Sequence, residues 1–300
     1  MDILRTPEGR FDALADWPFD PSYVEVSDPD GGSVRLHVVD EGDRTGRTVV
    51  LLHGEPTWSY LYRHVIPPLV DAGLRVVAPD LLGFGRSDKP TRQEDHTYAR
   101  HVAWVGEALF DRLDLAEVML FCQDWGGLIG LRLVAEHAER FSAVVASPTG
   151  LPTGDQAATE EFRSWQQAAM SMPSFPTGRI VDGGTLRSLS EAEIAAYDAP
   201  FPDDAYQAGA RVLPRLVPTE PDDPAAAVNR AAWSSLAGFE RPFVTAFTDQ
   251  DPITRGGDRP MRVRIPGAAG QAHRTIEGAG HFVQEDAPAA VAEVLLDLAR

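Results

Sequence analysis

The chain is poor in several things that would each open a class of function. It has one cysteine, Cys122, in 300 residues, which excludes an internal disulfide and a multi-cysteine metal site. Its eight histidines, at positions 37, 53, 64, 96, 101, 137, 273 and 281, show no His-Glu-x-x-His or comparable spacing, so neither a metal nor a cofactor is expected. No run of 18 apolar residues is present, and Met1 to Arg10 lack the apolar core of a secretion signal. A cytoplasmic protein with no membrane partner is the expectation. Positive charge is scarce too: 27 Lys plus Arg face 45 Asp plus Glu, a net charge of −18, and Lys89 is the only lysine. That balance argues against nucleic acid or an anionic bilayer as a partner. Acid excess with lysine depletion resembles halophilic proteins, whose surface carboxylates repel one another less when salt screens them.

What is present is 43% apolar content, enough for one large core, arranged as alternating strand and helix patterns. Tyr23 to Val26 and Val34 to Val39 read as an antiparallel pair across Gly31-Gly32. Thr48 to Leu52, Arg75 to Ala78, Val118 to Phe121 and Ser142 to Ala146 read as apolar strands, with helices after the first, second and third of them, the second running from Tyr98 to Leu113. Phe243 to Phe247 and His273 to Ile276 are further strands, and Pro288 to Arg300 a closing helix. From about Leu151 to Pro224 the alternation stops, leaving helical patches such as Glu160 to Met170 and Glu191 to Tyr197 among many Pro and Gly. These patterns predict an α/β fold: a mostly parallel twisted sheet with helices on both faces, a main domain of 1–150 and 225–300, and a helical cap of 151–224 over the strand ends. Asp80 to Ser87 is rich in glycine, but it lacks the Walker lysine and the third glycine of a dinucleotide loop.

The chemistry gathers at Cys122-Gln123-Asp124-Trp125-Gly126. A small residue, an acid and a glycine between a buried strand and a helix have the form of a nucleophile elbow, with Asp124 where many hydrolases carry Ser. A carboxylate needs no base to activate it and can attack carbon directly, forming an ester. The plainer alternative is that Asp124 only caps the helix after it. Asp251 follows a strand in Thr248-Asp249-Gln250-Asp251-Pro252, and His281 follows the last one in Gly278-Ala279-Gly280-His281-Phe282. Nucleophile, acid and histidine in that chain order form a hydrolase triad, with Asp249 the weaker choice of acid.

Together His53 to Arg63, Asp80 to Pro90, Cys122 to Gly127, Tyr197 to Asp203 and Gly278 to Glu285 resemble the haloalkane dehalogenases, in the subclass with Glu beside the oxyanion loop and an α/β-hydrolase fold. The resemblance implies Asp124 as nucleophile, His281 as base, Asp251 as its acid, and the indoles of Trp125 and of Trp165, the one cap tryptophan, as halide donors. It also implies an oxyanion hole from the backbone N–H groups of Glu55 and Trp125. Phe162, Phe175, Phe201, Leu213 and Val217 are candidate apolar walls. A small halogenated hydrocarbon, water and the halide product are the partners implied, for a monomer or homodimer. Pro148 departs from the family, many members of which carry Asn there. An epoxide hydrolase would share the elbow but needs cap tyrosines as proton donors, here Tyr197 and Tyr206. A fluoroacetate-type enzyme would want Arg where Trp125 stands, and a ligand sensor would show a damaged triad, whereas all three members are present.

Overall fold

Runs of Val, Leu and Phe without an interior charge form the middle of an eight-stranded sheet. In the computed structural model, which describes residues 1–300, the strands are β1 (Ser22–Ser27), β2 (Ser33–Glu41), β3 (Thr48–Leu52), β4 (Arg75–Pro79), β5 (Val118–Cys122), β6 (Phe141–Ala146), β7 (Phe243–Thr248) and β8 (Arg274–Ile276). Their order is β8-β7-β6-β5-β3-β4-β2-β1. The pairs β1·β2 and β2·β4 are antiparallel and the rest parallel. β5 is buried along its whole length, as a strand covered on both faces must be. It pairs with β3 so that Leu52 lies beside Cys122. That register brings the His53-Gly54-Glu55 loop against Gln123-Asp124, and the site begins there.

Helices α1 (Ile66–Asp71), α2 (Tyr98–Gly106) and α3 (Trp125–Glu136) follow β3, β4 and β5. Between β6 and the helix α8 (Ala226–Leu236) come α4 (Glu160–Ser171), α5 (Thr177–Gly183), α6 (Glu191–Asp198) and α7 (Ala208–Leu216), with no strand among them. Thr159 caps α4 by accepting from the Phe162 N–H, and Ser190 with Glu193 forms a capping box on α6. The sequence patterns did not mark α5 and α7. The first carries Gly178 and Gly183 and the second holds Pro214 inside it, both poor helix signals that tertiary packing overrides. α9 (Asp258–Arg264), α10 (Val283–Asp286) and α11 (Pro288–Ala299) complete the chain. α1 packs on α11, while α2, α3 and α8 make a second layer.

Three local expectations need correction. The helix expected after Trp58 splits into a 3-10 turn, Ser59–Tyr62, and α1, because Pro67 and Pro68 are tolerated only in a first helical turn. The helix expected to reach Leu113 changes to wider π spacing over Glu107–Arg112. Ile3–Leu4 and Lys89–Pro90, too short to show alternation, pair antiparallel in a separate two-stranded sheet. Lys89 is fully buried there, its Nζ donating to Gly85 O (2.7 Å) and Ser87 O (3.0 Å), and burial pushes its pKa down to about 7. No helix is long and apolar enough to cross a membrane.

Candidate active site

Asp124 sits between β5 and α3 with φ 51° and ψ −126°, a strained conformation for any residue with a side chain. The chain tolerates it because its neighbours are small. A Cβ on Gly126 would stand 2.1 Å from Leu52 O, and one on Gly127 would stand 2.0 Å from Thr149 Oγ1. The backbone of Asp124 is fastened at both ends: its N–H donates to Pro148 O (2.8 Å) and its carbonyl accepts from Thr149 Oγ1 (2.7 Å). Only the carbonyl of Pro148 is used in this contact, and proline supplies one like any other residue. The Asp124 side chain does not cap α3. Its Oδ1 instead accepts the Glu55 N–H at 2.7 Å, which leaves Oδ2 facing the His281 ring.

His281 follows β8 and stands between two carboxylates. Its Nε2 is 3.5 Å from Asp124 Oδ2 and its Nδ1 is 3.1 Å from Asp251 Oδ2. Asp251 is held in turn by the Ile253 N–H (2.8 Å) and the Thr254 hydroxyl (2.5 Å). Asp249 turns elsewhere, accepting from the Gly278 N–H at 2.9 Å, so it pins the loop before His281 and does not touch the ring. Burial alone would lower the His281 pKa, but Asp251 and Asp124 outweigh it and push it up to about 10. Burial alone would raise Asp251, yet His281, Thr254 and the Ile253 N–H bring it down to about 2. Burial and the nearby Asp124 charge outweigh the opposing pull of His281 on Glu55, and its carboxyl is pushed well above the usual range.

Asp124, His281, Glu55, Trp125, Phe162, Trp165 and Val217 line one cavity of about 1180 Å³ that opens to the surface. Three of the expected wall residues do not line it. Leu213 has no exposed surface, Phe175 packs behind Trp165 with ring centres 6.2 Å apart, and Phe201 packs on Phe84 at 6.4 Å. The apolar sides of these helical segments are used up in packing on one another and on the main sheet's loops, so these three support the wall from behind.

The tryptophans separate by the fate of their N–H. Trp58 donates to Ala196 O (3.2 Å) and Trp233 to Leu151 O (2.8 Å). Trp17 and Trp104 are sealed without an acceptor. Trp125 and Trp165 alone combine an indole without a protein acceptor with a place on the cavity wall. Trp125 also opens α3, so its backbone N–H precedes the first intrahelical acceptor and is free near Asp124.

Several supporting residues carry no local sequence signal. Gln123 donates from Nε2 to His281 O (3.1 Å), tying the elbow to the histidine loop. His53 Nδ1 lies 2.9 Å from Gly54 O and its Nε2 accepts the Leu81 N–H (2.9 Å); burial lowers its pKa, and it shapes the Glu55 loop as a neutral ring. Arg63 is fully buried and joins Glu285 (2.5 Å) to Glu193 of α6 (2.7 Å), while Arg187 bonds both glutamates. Tyr197 donates its hydroxyl to Glu285 inside this network, and neither Tyr197 nor Tyr206 lines the cavity. No group of three or more His, Cys, Asp or Glu side chains is placed to hold a metal ion.

This elbow, sheet order and triad geometry define an α/β hydrolase, and the model for the alpha/beta hydrolase fold matches residues 47–288. Within that class the likeness is narrower. A haloalkane dehalogenase of Psychrobacter cryohalolentis is 55% identical over 296 residues, covering 99% of this chain and 97% of its own, and one of Mycobacterium marinum is 52% identical over 99% of both. Among solved structures, the haloalkane dehalogenase DpaA of Paraglaciecola agarilytica, described as tetrameric, superposes with a TM-score of 0.91 at 35% identity, over 99% of this chain and 98% of its own. The chain belongs to the haloalkane dehalogenase family.

Proposed function

We propose that this enzyme hydrolyses the carbon–halogen bond of 1-haloalkanes to a primary alcohol, halide and a proton, through an alkyl ester on Asp124. The observation that carries the reading is a carboxylate with one oxygen uncommitted, facing a His–Asp pair and sharing its cavity with two indole N–H groups that have no protein acceptor. In the first step Asp124 Oδ2 attacks the sp3 carbon, an O–C bond forms, and the C–X electron pair leaves with the halide. A departing halide is a large, weakly hydrated anion, suited to the N–H donors of Trp125 and Trp165 in an apolar surrounding. Segment 151–224 serves as a cap that keeps bulk water from this anion.

Esterification removes the negative charge of Asp124, one of the two that raise His281. The pKa of His281 therefore falls on alkylation, and the ring sheds the proton that the reaction releases. The neutral ring then takes a proton from water, whose oxygen attacks the ester carbonyl of Asp124. The backbone N–H groups of Glu55 and Trp125 hold the oxyanion; as it collapses, the bond from the acyl carbon to the alkyl-bearing oxygen breaks, the leaving oxygen takes the proton from His281, and the regenerated Asp124 carboxyl passes its proton back to the ring. An epoxide hydrolase reading is disfavoured because Tyr197 is committed to Glu285 and Tyr206 lies off the cavity, leaving no proton donor for the opening oxygen.

The test is His281→Gln. Because the base serves only hydrolysis, this variant should release one equivalent of bromide from 1,2-dibromoethane and stall, with the adduct mass on the peptide containing Asp124. An unmodified protein with steady turnover would remove both assignments.

A further inference from the structure

We propose that the mouth of the cavity is an anion subsite that receives the terminal carboxylate of an ω-haloalkanoic acid, while the halogen-bearing carbon reaches Asp124. This rests on the dehalogenase reading above and names a further class of substrate for it.

The observation is where positive charge has been left unpaired. In a chain with 45 carboxylates and 27 cationic residues, nearly every arginine has a carboxylate within 4.0 Å or a backbone acceptor. Arg215, Arg255, Arg259 and Arg264 have neither, and three of these four fall within the ten residues 255–264. Arg255 and Arg264 are both exposed and line the same cavity that holds Asp124 and His281, which places them at its solvent side. The carboxylate on that outer wall, Asp155, is already taken by Arg230 at 2.6 Å, and Asp258 is taken by Arg262 at 2.9 Å. The mouth therefore carries uncompensated positive charge on a molecule of net charge −18.

The two guanidinium groups are also positioned relative to the reacting atoms. Arg264 lies over the ring of Trp233 at 5.2 Å, which holds it without neutralising it. Arg255 follows Thr254, whose hydroxyl grips the triad acid Asp251. Two residues further on, Gly257 lies so close to the chain at Thr149 that a Cβ there would be 2.7 Å from Thr149 O, and the Thr149 hydroxyl donates to Asp124 O. The turn bearing Arg255 thus leans on both the acid and the nucleophile segments, and an alkyl chain bridging mouth and elbow has a charged anchor at one end and a nucleophile at the other. A neutral haloalkane gains nothing from that anchor.

The experiment compares ω-bromoalkanoates from 3-bromopropanoate to 8-bromooctanoate with 1-bromoalkanes of equal length, in wild type, in Arg255→Gln/Arg264→Gln and in Arg255→Lys/Arg264→Lys. Wild type should turn over the acids with a sharper optimum in chain length than the neutral series. The Gln pair should lower kcat/KM for the best acid by about tenfold, in keeping with two solvent-facing ion pairs, while 1-bromohexane holds steady and the Lys pair retains most of the acid activity. A non-halide salt should weaken the acids selectively. Turnover of 1-bromohexane with no acid accepted, or an equal loss for acids and neutral bromides, overturns the proposal. So does a change confined to bromide inhibition, which would assign the arginines to halide egress. Failure of wild type on 1-bromohexane itself would instead overturn the dehalogenase reading.

Discussion

Two aspartates stand just past the ends of the two strands that flank β3, and the fold treats them in opposite ways. Asp80, one residue after β4, is fully buried and saturated: it accepts the Ser59 N–H, the Arg86 N–H and His37 Nδ1, each at 2.8 Å. Burial would raise its pKa, but His37 and these donors hold it well below the usual carboxylate range. Asp124, two residues after β5, has one backbone donor at 2.7 Å and a strained φ of 51°. Asp80 is engaged through both oxygens and locks three segments together. Asp124 keeps an oxygen in reserve, which is what a nucleophile needs. Whether a buried carboxylate acts as mortar or as reagent is decided by how many donors the fold supplies to it.

Exchanging each for alanine gives the largest expected contrast. Asp124→Ala should lose about four orders of magnitude or more in kcat, as removal of a nucleophile does, with no loss in stability. Asp124→Gly should go further and gain about 1 kcal/mol, because the strain is relieved. Asp80→Ala strands buried donors and should cost about 3 to 5 kcal/mol in denaturant unfolding, while the folded fraction keeps its kcat. Activity surviving in Asp124→Ala, or an unchanged midpoint in Asp80→Ala, would break the comparison.

The tryptophans carry the same distinction at smaller scale. Trp165, with its N–H unspent, should cost about 2 to 4 kcal/mol in the alkylation step when changed to Phe, and bromide quenching of fluorescence should weaken with it. Trp233, whose N–H is satisfied by Leu151 O, should on the same change cost about 1 kcal/mol of stability and leave bromide affinity alone. Pre-steady-state halide release and bromide titration separate the two. The smallest effect concerns carboxylates that are neither saturated nor reserved but hydrated at the surface. Their repulsion, at net −18, fades as the screening length falls from about 10 Å at 0.1 M salt to about 3 Å at 1 M, so the melting temperature should rise by several degrees between these. A flat response would mean that the acidity carries no adaptation to salt.

Much of this was legible in one dimension because strand-end chemistry is local. The elbow needs Gly126 and Gly127 within three residues of Asp124, and a chain-order rule links it to Asp251 and His281. The segment 151–224 was readable only as an interruption; Gly178, Gly183 and Pro214 hid two of its helices. The pocket walls fared worse. Phe162 and Val217 reach the cavity but Phe175, Phe201 and Leu213 do not, since an apolar residue has the same local pattern whether it faces a cavity or a neighbouring helix. Contacts across large sequence separations, such as Gln123 to His281 or Arg63 to Glu285, leave no periodic trace at all.

Lys89 has a practical consequence. The only side-chain amine of the protein is sealed beneath the loop that follows β4, held by two carbonyls and with its pKa drawn down to about 7. Amine-directed acylating reagents and lysine-specific proteases therefore find no side-chain target on the folded surface. Once that loop opens, the amine is exposed and reacts at a single known address. Time-dependent acylation at Lys89 is thus a built-in clock for opening of this part of the molecule, read by mass without any engineered probe.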